Sequence, residues 1–386
     1  MTRWSTALGA TTCCPKGMTC PASEPPPPHR RRGRVAAVAA AGSPPKAKAK
    51  GAVLLAAGHL ADGSSGGALL AIDPSDGNVT LIANTSVPPD TGVGMAFDGM
   101  SLYYEGWDDV AGRNTFVTTF IRTFGKSNSI SMPRDDNVFN FEFDATGKLF
   151  ALSATQGNLS VGGVDSMTGN FTAAAAVDSA LGVELLSGST FEPAGPPGSG
   201  LEGGTFVLLS RRKGSAQPAC VIVSASLDPK VPTVLSPPVQ GLLGPVLLSS
   251  IALLPGPSGS PGWNSVVGIG QSVAQPSQFV VVRVHRATGM PVAPPLLLFP
   301  GPPDGATIEP IYALDAEKRL LHQIFSRAGC SLAVPATATA TTVVRAGGGC
   351  PVCLLSVDID TGKHGECVAL PTDYVFLTIL EKVVTL

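Results

Sequence analysis

The sequence is poor in charged residues and has no long helical periodicity. Only 14% of its 386 residues are charged, whereas 44% are hydrophobic, so the chain can bury a sizeable core. The longest apolar run, GLLGPVLLSSIALLPG, spans only sixteen residues and contains Pro245. Because a membrane-spanning helix needs about 20 apolar residues, we expect no transmembrane segment and interpret this run as buried strands.

The larger part of the chain also lacks positive charge. Residues 1–50 hold nine Lys/Arg and one acid, Glu24, which leaves 17 bases and 27 acids for residues 51–386. Binding to nucleic acid needs a positive surface that replaces the counterions of the phosphates. We therefore expect no nucleic-acid partner.

Residues 1–50 have a composition that disfavours folding. They are rich in Pro, Ala and Arg and hold no large apolar run, so they cannot bury enough surface to offset their ordering entropy. An Arg-rich, almost acid-free segment is typical of an organellar transit peptide, for a plastid or mitochondrion. A secretory signal peptide, with Arg30 to Arg34 before the apolar stretch Val35 to Ala41, is the second interpretation, and a plain disordered tail is the third.

Glycine and proline, 45 and 35 residues, punctuate many short apolar runs. One hairpin pattern recurs, in which an apolar strand is followed by a turn with Asp or Thr before Gly and by a second strand. Its copies are LLAIDPSDGNVTLIA from Leu69, SVGGVDSMTGNFTAAAA from Ser160, VVVRVHRATGMPVAPPLLL from Val280 and CLLSVDIDTGKHGECVAL from Cys353. The Gly takes the positive φ of the turn, and the Asp or Thr side chain bonds to the turn backbone.

A second hairpin pattern alternates with the first. Its copies are GMAFDGMSLYY (Gly94 to Tyr104), FEFDATGKLFAL (Phe141 to Leu152) and YALDAEKRLLHQIF (Tyr312 to Phe325). An alternating pair supplies four strands, which is one blade of a β-propeller. Inner hairpins are expected near 92–106, 138–153, 182–211, 246–271 and 307–327, and outer hairpins near 68–83, 115–131, 159–177, 219–237, 278–298 and 352–370.

The two ends of residues 51–386 supply the missing inner hairpin. DYVFLTILEKVVTL at the C-terminus and GAVLLAAGHL from Gly51 are each one unpaired strand, and pairing them closes the ring in one blade. We therefore predict an all-β, six-bladed propeller over 51–386, preceded by a disordered tail or targeting segment over 1–50. Five blades, seven blades and another all-β fold are the alternatives.

The Asp-x-x-Thr-Gly hairpins that follow LLAID and LLSVD resemble the six- and seven-bladed propeller superfamilies, including the TolB-like, YVTN and quinoprotein-like groups. The resemblance implies the fold and does not specify an activity. Quinoprotein repeats place Trp after the Thr-Gly turn, whereas Asn78, Asn170, Met290 and Lys363 stand there in this chain, so a quinone cofactor is not expected. The repeats are WD40/YVTN-like in strand pattern, but they lack the Trp-Asp blade ending.

The starts of the inner strands converge on the propeller axis, so polar residues there are the candidate site. Aligning inner strands by Asp98, Asp144 and Asp315 places Gly92, Val138 and Glu309 at equivalent positions. The predicted ligand-binding residues at this channel mouth are Glu309, Glu184, Asp373, Asn137 and Asn140. The alternative is that these are solvated loop residues without a ligand.

Two functions fit this pattern. The first is a non-enzymatic, monomeric scaffold without a cofactor, which binds a protein or a small ligand on one face or at the channel. The second is a metal-dependent hydrolase, because carboxylate and amide oxygens around an axis suit Ca²⁺ or another divalent cation. Lactonase-like six-bladed propellers use such a ring. GSSGG (Gly63 to Gly67) matches a nucleophile pattern only formally, since it lies in a loop before a strand.

The cysteines near the C-terminus leave three interpretations open: free thiols, a local disulfide or a metal site. Cys350 and Cys353 form a CPVC motif, but no second pair completes a zinc site. Counting outward from the turn places Leu354 opposite Cys367, so Cys353 and Cys367 point to opposite faces unless a bulge intervenes. We therefore expect both thiols to be reduced.

Four Asn-x-Ser/Thr sequons add weight to the secretory interpretation. They begin at Asn78, Asn84, Asn158 and Asn170. The first and last lie in or beside hairpin turns, where a glycan fits. Asn is common in turns for other reasons, so organelle targeting stays the first expectation.

Overall fold

The computed structural model describes most of the chain after residue 51. The described residues are 52–61, 66–85, 87–89, 94–108, 111–121, 129–134, 137–155, 158–177, 181–195, 200, 202–214, 219–241, 244–254, 265–276, 278–300, 307–326, 352–380 and 383–385. The expectations for residues 1–50, for Cys350 and for the centre of GSSGG lie outside these residues.

The described residues form antiparallel strands grouped into six sheets, and they contain no α-helix. Blades 1 to 3 begin with these strands: β1 (Ala52–Leu60), β2 (Gly67–Ile72) and β3 (Val79–Thr85) in blade 1; β4 (Ala96–Phe97), β5 (Ser101–Asp108), β6 (Arg113–Phe120) and β7 (Ser129–Arg134) in blade 2; β8 (Asn137–Phe143), β9 (Leu149–Thr155), β10 (Asn158–Val164) and β11 (Phe171–Ala176) in blade 3.

The other three blades repeat the same inner-to-outer order, with blade 5 split into shorter pieces. Their strands are β12 (Val183–Pro193), β13 (Gly204–Arg212), β14 (Cys220–Ser226) and β15 (Val234–Leu235) in blade 4; β16 (Gln240–Gly241), β17 (Gly244–Leu248), β18 (Ala252–Leu253), β19 (Ser265–Ser272), β20 (Gln278–His285) and β21 (Leu296–Pro300) in blade 5; β22 (Thr307–Asp315), β23 (Leu320–Ser326), β24 (Val352–Asp358) and β25 (Val368–Ala369) in blade 6. The predicted six-bladed propeller is confirmed.

The two ends of residues 51–386 meet in blade 1, as the unpaired terminal strands predicted. β26 (Tyr374–Ile379) lies antiparallel to β1, with Tyr374 opposite Leu60 and Ile379 opposite Ala56. A last short strand, β27 (Val384–Thr385), pairs with the beginning of β1. β26 is therefore the inner strand of blade 1, and its pairing with β1 closes the ring.

Apolar packing between neighbouring blades forms the core. The buried apolar side chains of the described residues fall into six clusters, and each cluster joins two blades that are adjacent in the ring. In the cluster that closes the ring, Leu354 of blade 6 packs with Leu70 and Phe376 of blade 1. Because both faces of each sheet are covered in this way, middle strands such as β2, β14 and β19 are buried along nearly their whole length.

The glycine of each recurring outer hairpin contacts the preceding blade. Gly77, Gly169, Gly289 and Gly362 have φ between 64° and 73°. A Cβ on Gly169 would lie 2.8 Å from a ring carbon of Phe116 in blade 2, and one on Gly362 would lie 3.0 Å from Leu296 in blade 5. The repeated turn therefore needs Gly for two reasons: the left-handed backbone, and the close approach of the preceding blade.

The expectation of reduced cysteines in the last hairpin is wrong. Cys353 and Cys367 form a disulfide with a Cα–Cα distance of 5.4 Å. The bond joins residues that are 14 apart in the sequence, and it closes the hairpin of blade 6 covalently. The remaining cysteine among the described residues, Cys220, is a buried free thiol.

A register shift explains the error. Val357 lies opposite His364, as counted from the turn, but Leu354 lies opposite Val368 instead of Cys367. One extra residue is therefore accommodated between His364 and Val368. Such a bulge changes the side-chain alternation of the strand, which allows Cys367 to meet Cys353.

A pair of glycine substitutions tests the contact between blades. Gly112 has a φ of 65° in an open turn with no atom within 4 Å of a built Cβ, whereas Gly169 has a φ of 70° and faces the buried Phe116. We expect Gly112→Ala to lower the free energy of unfolding by about 1 kcal/mol, the cost of a left-handed Ala. Gly169→Ala should cost about 1–3 kcal/mol more through overpacking, measured by denaturant unfolding. Equal losses in the two variants would contradict the contact.

Candidate functional site

The repeated strand order gives the ring two distinct faces. All inner strands begin on one face, here called the start face, where Asn137, Val183 and Tyr374 begin their strands. They end on the opposite face, here called the turn face, which carries the described turns of the inner and outer hairpins. The recurring Asp and Gly turn residues therefore belong to the turn face, and the predicted channel residues belong to the start face or to the inner strands.

The structure places four of the five predicted site residues on inner strands, and the fifth just before one. Glu184 lies on β12 and accepts a hydrogen bond from Arg211 Nε at 2.9 Å, within blade 4. Asn137 begins β8 and is half-buried, and Asp373 is exposed immediately before β26. No bond between two of the five is described for these residues, so their joint role as a ligand site stays a prediction.

The inner strands of blades 3 to 6 and of blade 1 are irregular near their middle. Extra residues interrupt the register with the second strand at these places: Asn140–Phe141 in β8, Leu186–Gly188 in β12, 249–251 between β17 and β18, 309–311 in β22, and Leu377 in β26. Bulges bend a strand and leave backbone groups without ladder partners. The propeller axis is therefore surrounded by backbone that needs hydrogen-bond partners from side chains.

Polar side chains supply those partners. Asn140 has a φ of 56° in its bulge, and its Oδ1 accepts a hydrogen bond from the Gly94 amide of blade 2 at 2.6 Å. Ser250 Oγ similarly accepts from the Ile269 amide at 3.0 Å. Asn140 thus links two blades through the backbone, which is a structural use of an amide that the sequence pointed to as a ligand.

The bulge of blade 6 contains the buried carboxyl of Glu309. The Ser326 hydroxyl donates to Glu309 Oε1, and Glu309 is 0% exposed. On the neighbouring strand, Gln323 Nε2 donates to the Glu309 carbonyl and, at 3.1 Å, to the Ile311 carbonyl. Gln323 therefore replaces the ladder bonds that the bulge removes. Sequence reasoning missed Gln323, although a polar residue inside the apolar run LLHQIF was the available signal.

A hydrogen bond ties the same part of blade 6 to blade 4. The Tyr312 hydroxyl donates to the Ser189 carbonyl at 3.2 Å. A Cβ on Gly188, the last residue of the blade 4 bulge, would lie 3.6 Å from the Tyr312 hydroxyl. Since blades 4 and 6 are not adjacent in the ring, this bond holds the inner strands together across blade 5.

His322 is a buried ionisable group of this region whose pKa is lowered. It is 2% exposed, and its Nδ1 lies in a hydrogen bond 2.8 Å from Ser356 Oγ. Burial lowers its pKa to about 4, against the attraction of Asp315, which acts in the opposite direction. The imidazole is therefore neutral near pH 7 in the folded protein.

The described residues hold no group of three or more His, Cys, Asp or Glu side chains that could bind a metal ion. Within the same residues, no helix is long and apolar enough to cross a membrane.

The turn face carries the exposed apolar side chains. The described large hydrophobic residues with the highest exposure are Leu81, Met100, Phe120, Met167, Val231, Val234 and Met290. All except Leu81 lie in or directly beside the turns of blades 2 to 5 on this face. Met167, at 80% exposure, lies at the tip of the blade 3 turn.

Carboxylates accompany these apolar residues in the same turns. Asp98, Asp165 and Asp228 are exposed, and each accepts a hydrogen bond from a backbone amide two residues further on. The amides of Met167 and Thr168 hold the pKa of Asp165 below its usual value. The turn face of blades 2 to 4 therefore combines apolar tips with exposed carboxylates, and the Asp228 turn also carries Lys230.

Comparisons with known proteins find similarity in structure and none in sequence. No protein-family model matches the sequence, and no curated protein matches it. A structure from a nidogen/laminin complex is 9% identical, with 87% of this chain and 98% of that chain covered and a TM-score of 0.49. TolB from Acinetobacter baumannii is 12% identical, with 86% and 67% covered and a TM-score of 0.48.

A putative 6-phosphogluconolactonase from Bacteroides uniformis is a third similar structure. It is 10% identical, with 81% of each chain covered and a TM-score of 0.41. At these values the comparisons assign the chain neither a family nor an activity. The six-bladed arrangement rests on the sheet topology and on the packing between blades.

A substitution of Gln323 tests its structural use. Gln323→Met keeps the length of the side chain but leaves the Glu309 and Ile311 carbonyls without their donor. We expect a loss of about 1–3 kcal/mol in the free energy of unfolding, typical of an unsatisfied buried polar group. The exposed Gln275 offers a matched control, and Gln275→Met should change stability by less than about 0.5 kcal/mol. If Gln323→Met and Gln275→Met had the same free energy of unfolding, Gln323 would not support the bulge.

The neutral His322 predicts a dependence of stability on pH. Below pH 6.5 the unfolded chain binds a proton at this residue that the folded chain binds only near pH 4. The contribution of His322 to the free energy of unfolding is complete above pH 6.5 and falls as the pH is lowered to about 4. The free energy of unfolding then changes by at most about 1.4 kcal/mol per pH unit. His322→Gln should remove this component from unfolding curves recorded between those pH values. A variant with the slope of the original chain would contradict the assignment.

Proposed function

We propose that the protein is a non-enzymatic propeller scaffold that binds a protein partner through the turn face. The supporting observation is that six of the seven most exposed large apolar side chains among the described residues lie on this one face. Single exposed apolar residues are common on any protein, but their concentration on one face is typical of an interaction surface.

The kinds of side chain on this face suit a contact surface. Met100, Met167 and Met290 are unbranched and polarizable, so they adapt to the shape of a partner. Phe120 adds an aromatic ring at 39% exposure, at the end of β6. The turns that carry Met167 and Met290 are held by close contacts of their glycines with neighbouring backbone or side chains. The backbones of these two turns are therefore already ordered before a partner binds, which lowers the entropic cost of association.

The charge of the turn face specifies the chemistry of the partner. Asp98, Asp165 and Asp228 stand within three residues of Met100, Met167 and Val231, and residues 51–386 hold 27 acids against 17 bases. Complementary charges increase the rate and the specificity of association. We therefore assign a partner surface in which apolar side chains alternate with Lys or Arg.

The start face offers less for a ligand. Glu184, Asn140 and Glu309 are already bonded to protein groups, to Arg211, the Gly94 amide and the Ser326 hydroxyl respectively. A hydrolase with a channel metal would instead require several carboxylate or amide oxygens directed at one ion. These bonds support docking on the turn face over a site at the channel.

Peptide selection on the full chain tests this proposal. A random peptide library displayed on phage would be selected on the immobilised protein, and the enriched peptides would be synthesised for titration. We expect peptides that combine apolar residues with Lys or Arg. The double variant Val231→Asp with Met290→Asp should weaken their binding about tenfold or more, since it removes apolar contact area.

Leu81→Asp is the matched control. Leu81 is exposed to a similar degree, 38%, but it lies on the outer strand β3 and not on the turn face. We expect this variant to bind the peptides as the original chain does. Equal weakening in both variants, or the absence of enriched peptides, would overturn the proposal, and loss of binding on Glu184→Lys alone would favour the channel.

A further inference from the structure

The four sequons share one structural property. Each begins with an asparagine that is exposed on the surface of the folded protein: Asn78, Asn84, Asn158 and Asn170. An oligosaccharide is added to the unfolded chain in the secretory pathway, so the folded protein has to leave room for it. All four positions satisfy that condition.

The asparagines without a sequon behave differently. Among the described residues these are Asn114, Asn137 and Asn140, and none of them is exposed. Exposure thus separates the sequon asparagines from the others without exception in the described part of the chain. This separation is what selection for glycan attachment would produce, and it includes Asn84 and Asn158, which lie on strands and not in turns.

The local structure at each site accommodates a large substituent. Asn78 and Asn170 end outer hairpin turns on the turn face, and Asn158 begins β10 on the start face. Asn84 lies on β3, the outermost strand of blade 1. A glycan on such an edge strand also hinders pairing with a strand of another chain.

The disulfide is an independent observation that indicates the same compartment. Cys353 and Cys367 are bonded, whereas Cys220 is 0% exposed within blade 4 and therefore protected from oxidation. Structural disulfides persist in oxidising compartments such as the lumen of the endoplasmic reticulum and the cell exterior. Glycosylation of a sequon takes place along the same route, so both features fit one compartment.

We propose that the chain passes through the secretory pathway and carries N-linked glycans on Asn78, Asn84, Asn158 and Asn170. The donor is a lipid-linked oligosaccharide diphosphate. A bond forms between the asparagine amide nitrogen and the anomeric carbon of the sugar, the bond from that carbon to the diphosphate oxygen breaks, and the lipid diphosphate leaves while the amide loses one proton. This reverses the order of compartments that the composition of residues 1–50 favours.

One site bears on partner binding. Asn170 lies three residues after Met167 in the same turn, so a glycan there covers the apolar tip of blade 3. Docking would then rely on blades 2, 4 and 5, where no sequon stands in a described turn. The glycan proposal does not depend on the partner, and its test uses covalent readouts alone.

The experiment expresses the full chain in cultured eukaryotic cells and treats the purified protein with peptide:N-glycosidase. The enzyme removes N-glycans and converts each modified asparagine to aspartate, which peptide mass spectrometry locates. We expect conversion at all four residues and a gain in gel mobility. Asn78→Gln, Asn84→Gln, Asn158→Gln and Asn170→Gln should each remove one step of the mobility shift.

Two controls separate glycosylation from other effects of substitution. Thr172→Ala destroys the sequon but keeps Asn170, so it should remove the same step as Asn170→Gln, whereas Asn114→Gln should remove none. Thiol labelling under denaturing conditions should modify Cys353 and Cys367 only after reduction. A chain that the glycosidase does not change overturns the proposal, and an unmodified asparagine within a glycosylated chain overturns the assignment at that residue.

Discussion

Apolar packing between neighbouring blades is the interaction on which the rest of this structure depends. Each of the six core clusters joins two adjacent blades, so every sheet is covered on both faces only when the ring is complete. The hairpin glycines reinforce the same contacts, because Gly169 and Gly362 allow a turn to approach the blade before it. The pairing of β26 with β1 supplies the last interface and makes the first and last strands part of one sheet.

The inner strands show what the closed ring requires near its axis. Their bulges remove ladder bonds, and Asn140, Ser250 and Gln323 restore hydrogen bonds to the freed backbone groups. These polar residues therefore have a structural use, and a role of Asn140 in ligand binding stays a prediction. In the outer turns, by contrast, apolar tips such as Met290 are exposed.

Local turn chemistry made most of the fold predictable. Asp or Thr before Gly identified the outer hairpins, and counting them with the inner hairpins gave six blades and their closure through the terminal strands. The bulges could not be predicted, because the sequence shows which residues are apolar but not where a strand gains a residue. The same limit made the prediction for Cys353 and Cys367 wrong by one residue of register, and it concealed the role of Gln323.

Closure of the ring is the claim to test most directly, by deletion of residues 374–386. The deletion removes β26 and with it Phe376, Ile379 and Leu380, which at about 1.5–3 kcal/mol each rival the 5–15 kcal/mol that stabilise a typical domain. Light scattering and circular dichroism should detect loss of the soluble, folded protein, whereas deletion of 384–386 alone should leave it folded. A soluble protein that lacks 374–386 and keeps the β content and thermal midpoint of the full chain would contradict the account.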